Sequence, residues 1–230
     1  MEIMRNIRRC RFMEFNRFEV VTGACIEEIS GQSRFGFSMS DTTDFYDMTE
    51  LMENDGYKGA TISFYDYETG KVYEPFAKER NVIYGDPVFL HERFWFLRGD
   101  YNSGKITLLK YYPGEEPEEV TQLNIEDVDA YNLCIVGEDV HIVGGDDEVV
   151  CYYPEQFRFA KEDDGGVILI ADGKVYISAW VEEGWDDEND CATEDYKYYE
   201  KIIIRDFEGN LISEEIGCLE QRPDGSWWIS

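Results

Sequence analysis

The sequence predicts an all-β chain of short antiparallel strands, arranged as five four-stranded units closed into a ring. Three observations predict it. A strand–turn–strand pattern recurs at 6–23, 60–81, 105–124, 147–165 and 199–217. A second hairpin pattern, each starting near a Gly, Asn or Cys, recurs at 23–40, 80–100, 131–145, 165–180 and 217–230. The two patterns alternate, and the chain opens with the second half of a unit and closes with the first half. That offset lets strands in 6–22 join strands in 218–230 in one sheet, which is how a ring of repeats closes.

Each unit reads as four strands, A to D. The C–D hairpins are the plainest. Thr61–Tyr67 and Lys71–Tyr73 flank Glu68-Thr69-Gly70, and Ile202–Phe207 and Leu211–Ser213 flank Glu208-Gly209-Asn210. Lys105–Tyr112 stops at Pro113-Gly114 and resumes at Val120–Leu123. Val149–Tyr153 stops at Pro154, which cannot donate a ladder bond, and resumes at Phe157–Ala160. The A–B hairpins pair Leu133–Val136 with Val140–Val143, and Val167–Ile170 with Val175–Ala179. Asp172-Gly173 and Asp224-Gly225 supply the last two turns. Cys-Ile or Cys-Leu recurs at 25–26, 134–135 and 218–219.

Four-stranded units at a spacing of tens of residues are the mark of a β-propeller, here with five blades. YDYETGKV at 65–72 and RDFEGNLI at 205–212 resemble the strand–turn–strand of many propeller proteins, in which an Asp and a following Gly precede the outer strand. The resemblance is architectural. The Trp-Asp dipeptide of WD40 repeats and a kelch double glycine in each blade are absent. A four-bladed ring and a β-sandwich are the competing architectures.

One segment departs from the strand pattern. In 44–54, Phe45, Met48, Leu51 and Met52 share a helical face, Thr43 or Asp44 can cap the start, and Gly56 follows the end. A short amphipathic helix is expected there, inserted between strands B and C of the first full blade.

At 230 residues the chain is read as a single domain, 1–230, long enough to bury its own core. Its net charge of −29 argues against phosphate backbones and anionic membranes and favours basic partners. No apolar run approaches a membrane span, and the arginines near the start precede no apolar stretch of a secretory signal. Six cysteines without a close pair read as free thiols of a cytoplasmic protein. Cys25, Cys134 and Cys218 are expected as small buried residues on inner strands, and only Cys191 as exposed. Trp227 and Trp228 are expected to pack in the sheet that closes the ring.

In such a ring the B–C and D–A connections share one face. The B–C connections are 41–58, 98–104, 144–148 and 182–198. They hold 18 acidic residues against Lys58, Arg98 and Lys197, or −15. The plain reading of acidic loops is solubility. Aromatic residues among them point to binding, because aromatics with carboxylates suit a Lys- or Arg-bearing partner. The candidate binding residues are Tyr46, Tyr57, Tyr101, Trp180, Trp185, Asp186, Asp187, Glu188, Asp190 and Tyr196.

Other chemistries have less support. The acidic stretch 185–196 lacks the spacing of a calcium loop, and His91 and His141 have no partner at zinc-ligand spacing and read as structural. No metal or cofactor is expected. Some five-bladed propellers are glycosidases with carboxylates on inner strands, and Glu27, Glu28, Asp86 and Glu220 lie on or beside such strands here. No GxSxG, P-loop or dinucleotide fingerprint is present. The expectation is a monomeric, non-catalytic scaffold engaging a basic protein, peptide or other cation. The alternatives are a carbohydrate-binding or glycoside-hydrolysing propeller, or an acidic mimic of nucleic acid.

Overall fold

The turns set the repeat. The Asp66 carboxylate accepts the backbone N–H of Glu68 at 2.9 Å and of Thr69 at 3.4 Å, and Gly70 follows with φ 73°. Asp206 does the same for Glu208 and Asn210 ahead of a left-handed Gly209, and Asp100 for Asn102 and Ser103 ahead of Gly104. A short carboxylate that caps its own turn, followed by a residue free to take positive φ, leaves the chain little choice but to reverse. Asp66 is fully buried and also takes a two-pronged bond from Arg34, Nε at 3.2 Å and Nη2 at 2.7 Å. That guanidinium holds the Asp66 carboxyl at about 2.

The computed structural model describes residues 15–161, 165–186 and 189–230. They form an all-β fold of antiparallel sheets in chain order. The first sheet is β1 (Glu27–Glu28), β2 (Phe35–Met39), β3 (Ile62–Asp66) and β4 (Val72–Tyr73). The second joins β5 (Val82–Tyr84), β6 (Val88–Leu90), β7 (Arg93–Asp100), β8 (Lys105–Tyr111) and β9 (Glu118–Asn124). The third is β10 (Cys134–Val136), β11 (His141–Gly144), β12 (Glu148–Tyr153) and β13 (Phe157–Ala160). The fourth is β14 (Gly165–Ala171), β15 (Lys174–Asp186), β16 (Cys191–Arg205) and β17 (Leu211–Ile216). Last comes a two-stranded hairpin, β18 (Leu219–Gln221) with β19 (Trp227–Ile229). The order within each four-stranded sheet is sequential, as the repeats predict. The expected first strand of the second unit is split into β5 and β6, both paired to β7, because Gly85-Asp86-Pro87 interrupts it.

The inserted helix α1 runs Asp47–Glu53, shorter than 44–54. Asp44 takes the Asp47 N–H at 2.8 Å ahead of it. The apolar face falls as expected, with Phe45 and Met48 buried and Leu51 and Met52 packed against the core. Phe45 docks on the second sheet where Gly85 and Gly99 leave room. A Cβ on Gly99 would come 2.7 Å from the Phe45 ring.

The core is uneven. One cluster runs without a break from Ile29 to Ile142 across the first three sheets, rich in rings: Phe64 alone meets Phe94, Phe96 and Tyr111. A smaller one, with Val143, Phe159, Ile177 and Ile203, joins the third sheet to the fourth. His141 is a satisfied buried histidine, Nδ1 on Asp139 O and Nε2 on Glu155, whereas His91 is an exposed turn residue 3.3 Å from Asp139.

The two ends of the described chain depart from expectation. Residues 15–22 form no strand. They lie on the first sheet, with the Glu19 N–H on Gly70 O and the Phe18 ring on Tyr65 and Tyr67. The rest of the expected closing segment, 6–14, falls outside the described residues. Trp227 is half-buried, but Trp228 is 63% exposed, because β19 has no second neighbour among the described residues. No helix among the described residues is long and apolar enough to cross a membrane.

Candidate binding arm and central cavity

The acidic stretch 182–198 is not a loop. β15 and β16 pair beyond the rest of their sheet and carry it as a two-stranded arm, with Glu182 opposite Tyr198 and Glu183 opposite Lys197. Side chains on a strand alternate between faces, so Trp180, Glu182, Tyr198 and Glu200 share one side. The Trp180 and Tyr198 rings stack at 4.9 Å and 7°. Tyr196 continues the row at 6.4 Å from Tyr198, and Trp185 meets the Tyr196 ring at 5.8 Å. The register slips at Gly184, where φ is 77° and a Cβ would meet the Asp195 and Tyr196 backbone at 2.9 Å. Only glycine fits that crossing. The result is a stripe of four rings, with Trp180 52% and Tyr198 61% exposed.

The two faces of the arm differ in charge pairing. On the far face Lys197 binds Glu183 at 2.7 Å, the Tyr199 hydroxyl donates to the same carboxylate, and the ammonium lies over the Tyr199 ring. The pairing lowers the Glu183 pKa and raises that of Lys197. On the stripe face Glu182 is held by the Tyr196 hydroxyl at 2.5 Å and Glu200 by the Ser178 hydroxyl at 3.0 Å. Both are held by neutral donors, so the stripe keeps its negative charge beside exposed rings.

The structure divides the sequence-predicted residues. Trp180, Trp185 and Tyr196 come together, joined by Tyr198. Asp186 turns the arm's tip by accepting the Asn189 N–H at 3.1 Å, and Asp190 follows with φ 50°. Asp187 and Glu188 lie outside the described residues. Tyr57 and Tyr101 lie apart from that stripe, packed against the inserted segment. Tyr57 is buried with its hydroxyl on Asp41 at 2.6 Å, and burial raises its pKa. The Tyr101 hydroxyl holds Phe45 O at 3.1 Å. A long insertion has to be anchored, and these two aromatics anchor it. Tyr46 is exposed but its ring contact is Tyr131, apart from the stripe. The signal for the ribbon lay in the alternation Tyr196-Lys197-Tyr198 and in the turn-favouring pair Asn189-Asp190.

A second feature lies among the first strands of the sheets. A cavity of about 1050 Å³ is lined by Cys25, Ser38, Phe45, Tyr65, Asp86 and Cys134 among others. A smaller one of about 300 Å³ is lined by Glu28, Phe89, Val136, Ile168, Gln221 and Trp227, at least one residue from every sheet. Glu27 and Asp86 border both. Burial raises the Asp86 pKa. Cys25 and Cys134 are exposed, not buried as expected, because the space in front of them is open; Cys25 precedes the first strand altogether. Crowding by protein atoms, with the Asp86 charge, pushes the Cys134 thiol up to about 11, so it stays protonated at neutral pH. Cys218 is half-buried, its thiol raised to about 11 by Glu200. No three His, Cys, Asp or Glu side chains converge as metal ligands among the described residues.

No family model matches the chain, and no curated protein matches it.

Proposed function

We propose that this protein is a non-catalytic binding scaffold whose arm engages a cationic partner, a basic peptide or protein surface. The observation that carries the reading is the exposed ring stripe, Trp180–Tyr198–Tyr196–Trp185, beside Glu182 and Glu200, whose side-chain donors among the described residues are the neutral Tyr196 and Ser178 hydroxyls. Exposed aromatic area of this kind has no use in a surface meant only to stay soluble. An arginine or lysine stacked on such a ring gains cation–π attraction while its charge meets Glu182 or Glu200.

The scaffold is read as a five-bladed β-propeller. The small cavity bordered by all five sheets supports that reading. So do the backbone bonds of the last hairpin, from Gly217 N–H to Glu200 O on one side and from Gly31 N–H to Pro223 O on the other. Of the segment 6–22 expected to complete the fifth blade, the described part, 15–22, forms no strand, and the rest lies outside the described residues. Deleting 225–230, which removes β19 with the half-buried Trp227, should then lower the melting temperature. An unchanged melting temperature would contradict the closure.

The binding reading is tested by a pull-down with immobilised octa-lysine at low salt. Changing Asp186, Asp187, Glu188 and Asp190 to Asn or Gln should leave the fold intact and reduce capture. Rim charges of this kind act over about 8–10 Å and fade as salt rises. Neutralising Glu115 and Glu116 of the β8–β9 turn with Glu118 and Glu119 of β9 is the control. Equal losses from both sets would reduce the acidic arm to solubility.

A carbohydrate-binding reading has one observation of its own, the roughly 1050 Å³ cavity with Glu27 and Asp86 at its border. Retention on a sugar resin that survives high salt would favour it over the charge-driven reading.

A further inference from the structure

The arm carries its own example of cation binding, on its far face. There the Tyr199 hydroxyl donates to Glu183 Oε1 at 2.7 Å. The Lys197 ammonium sits 2.7 Å from Glu183 Oε2 and 5.7 Å from the centre of the Tyr199 ring. The stripe face repeats the pairing of tyrosine and carboxylate. Glu182 lies directly opposite Tyr198 and takes the Tyr196 hydroxyl on Oε1 at 2.5 Å. A carboxylate held by a tyrosine hydroxyl beside an aromatic ring is thus built twice into one ribbon. On the far face its occupant is a cation.

The two seats differ in their rings. The far-face lysine has one ring, Tyr199. On the stripe face the Tyr198 ring is stacked on Trp180 at 4.9 Å and 7°, and the Tyr196 ring stands 6.4 Å away, inclined at 49°. Tyr198 remains 61% exposed although Trp180 stacks on it. That arrangement distinguishes the two cationic side chains. An ammonium is a compact, strongly hydrated point charge, satisfied by one ring and one carboxylate, as Lys197 is. A guanidinium is planar and weakly hydrated, so it lies flat on an aromatic face while N–H groups on its edge donate to a carboxylate. The stack on Trp180 also holds the Tyr198 ring in place, so less side-chain freedom is lost when a second plane settles there.

We infer that the stripe reads arginine in preference to lysine. A guanidinium of an arginine-bearing peptide segment lies on the Tyr198 ring, and its edge donates to Glu182. This rests on the arm being a cation-binding surface and names the cation that surface prefers.

The test compares octa-arginine with octa-lysine by fluorescence anisotropy at one low ionic strength. Wild type should bind octa-arginine roughly tenfold tighter. A guanidinium sheds water more readily than an ammonium on any surface, so the ratio is compared across variants. Tyr198→Leu should bring it down to about twofold or less, whereas Tyr198→Phe, which keeps the ring, and Tyr199→Leu on the far face should preserve it. Glu182→Gln leaves every ring in place and is the independent check. It should weaken octa-arginine more than octa-lysine, and equal losses overturn the pairing. Equal affinities of the two peptides for wild type, or a ratio undiminished in Tyr198→Leu, overturn the inference and leave the arm's cation binding standing. If neither peptide binds wild type, the arm reading itself fails, and the preference for arginine fails with it.

Discussion

The second sheet and the fourth use the same kinds of side chain to opposite ends. In the second, Phe94 and Phe96 are fully buried and Trp95 packs against that core with its indole N–H on Leu90 O at 3.0 Å. In the fourth, Trp180, Trp185 and Tyr198 stand in solvent. The difference lies in what faces each strand. β7 runs between β5 and β8 and is packed by Phe45 and Phe64, whereas β15 and β16 extend past β14 and β17, so that among the described residues their far ends pair with each other. An aromatic on a strand is a core residue or a contact residue according to whether a neighbouring layer covers it. Burial in the first half of the chain supplies stability; in the arm the rings stay exposed to solvent.

Substitutions can break that contrast, and the largest effect belongs to the ring cluster. Phe64→Ala should cost about 3–5 kcal/mol in chemical denaturation, since a cavity would open among Phe94, Phe96 and Tyr111. A loss below about 1 kcal/mol would mean that this half is loosely packed. Next comes Asp66→Ala. It leaves Arg34 without its partner and the β3–β4 turn uncapped, for about 3 kcal/mol. It also carries a pH signature. The folded carboxyl, at about 2, lies below its unfolded value near 3.9. Its stabilisation is therefore complete above about pH 4 and is lost as pH falls from there towards 2. The wild-type acid limb should be steeper than that of Asp66→Ala, and parallel limbs would contradict the assignment.

Smaller still is Gly99→Ala, which presses a methyl into the Phe45 ring and should cost about 1–2 kcal/mol. Shortening Phe45 in the same protein should relieve part of that cost, so strictly additive losses would show that the two do not touch. The smallest expected change in stability is from Trp180→Ala, within about 0.5 kcal/mol, as for other exposed positions. A loss comparable to that of Phe64→Ala would make the arm part of the core and erase the comparison.

How much was legible beforehand follows the range of each signal. Local signals read well. The Asp-to-Gly turns, Pro154 at the end of β12 and the apolar face of α1 all fell where short-range chemistry puts them. Signals that depend on a neighbour did not. Cys134 sits in an apolar run, yet it faces open space because no side chain fills the cavity before it. Tyr57 and Trp180 look alike in sequence, both aromatics among carboxylates. Only the packing tells them apart, since Tyr57 is buried with its hydroxyl on Asp41 and Trp180 is exposed, stacked on the ring of Tyr198. The arm was misread because an excess of acidic residues masked a period-two pattern, and strand pairing tolerates charge where both faces meet water.

The most direct test of the account is a calorimetric titration of octa-lysine into wild type and into Trp180→Ala/Tyr198→Ala at matched low salt. The double variant keeps every carboxylate and loses only the stacked rings. Loss of those anchors should weaken binding by roughly 1–2 kcal/mol or more, about tenfold and upward, with the melting temperature preserved. Equal affinity in the two proteins would show that the charge alone attracts the probe and that the aromatic stripe is not a binding surface.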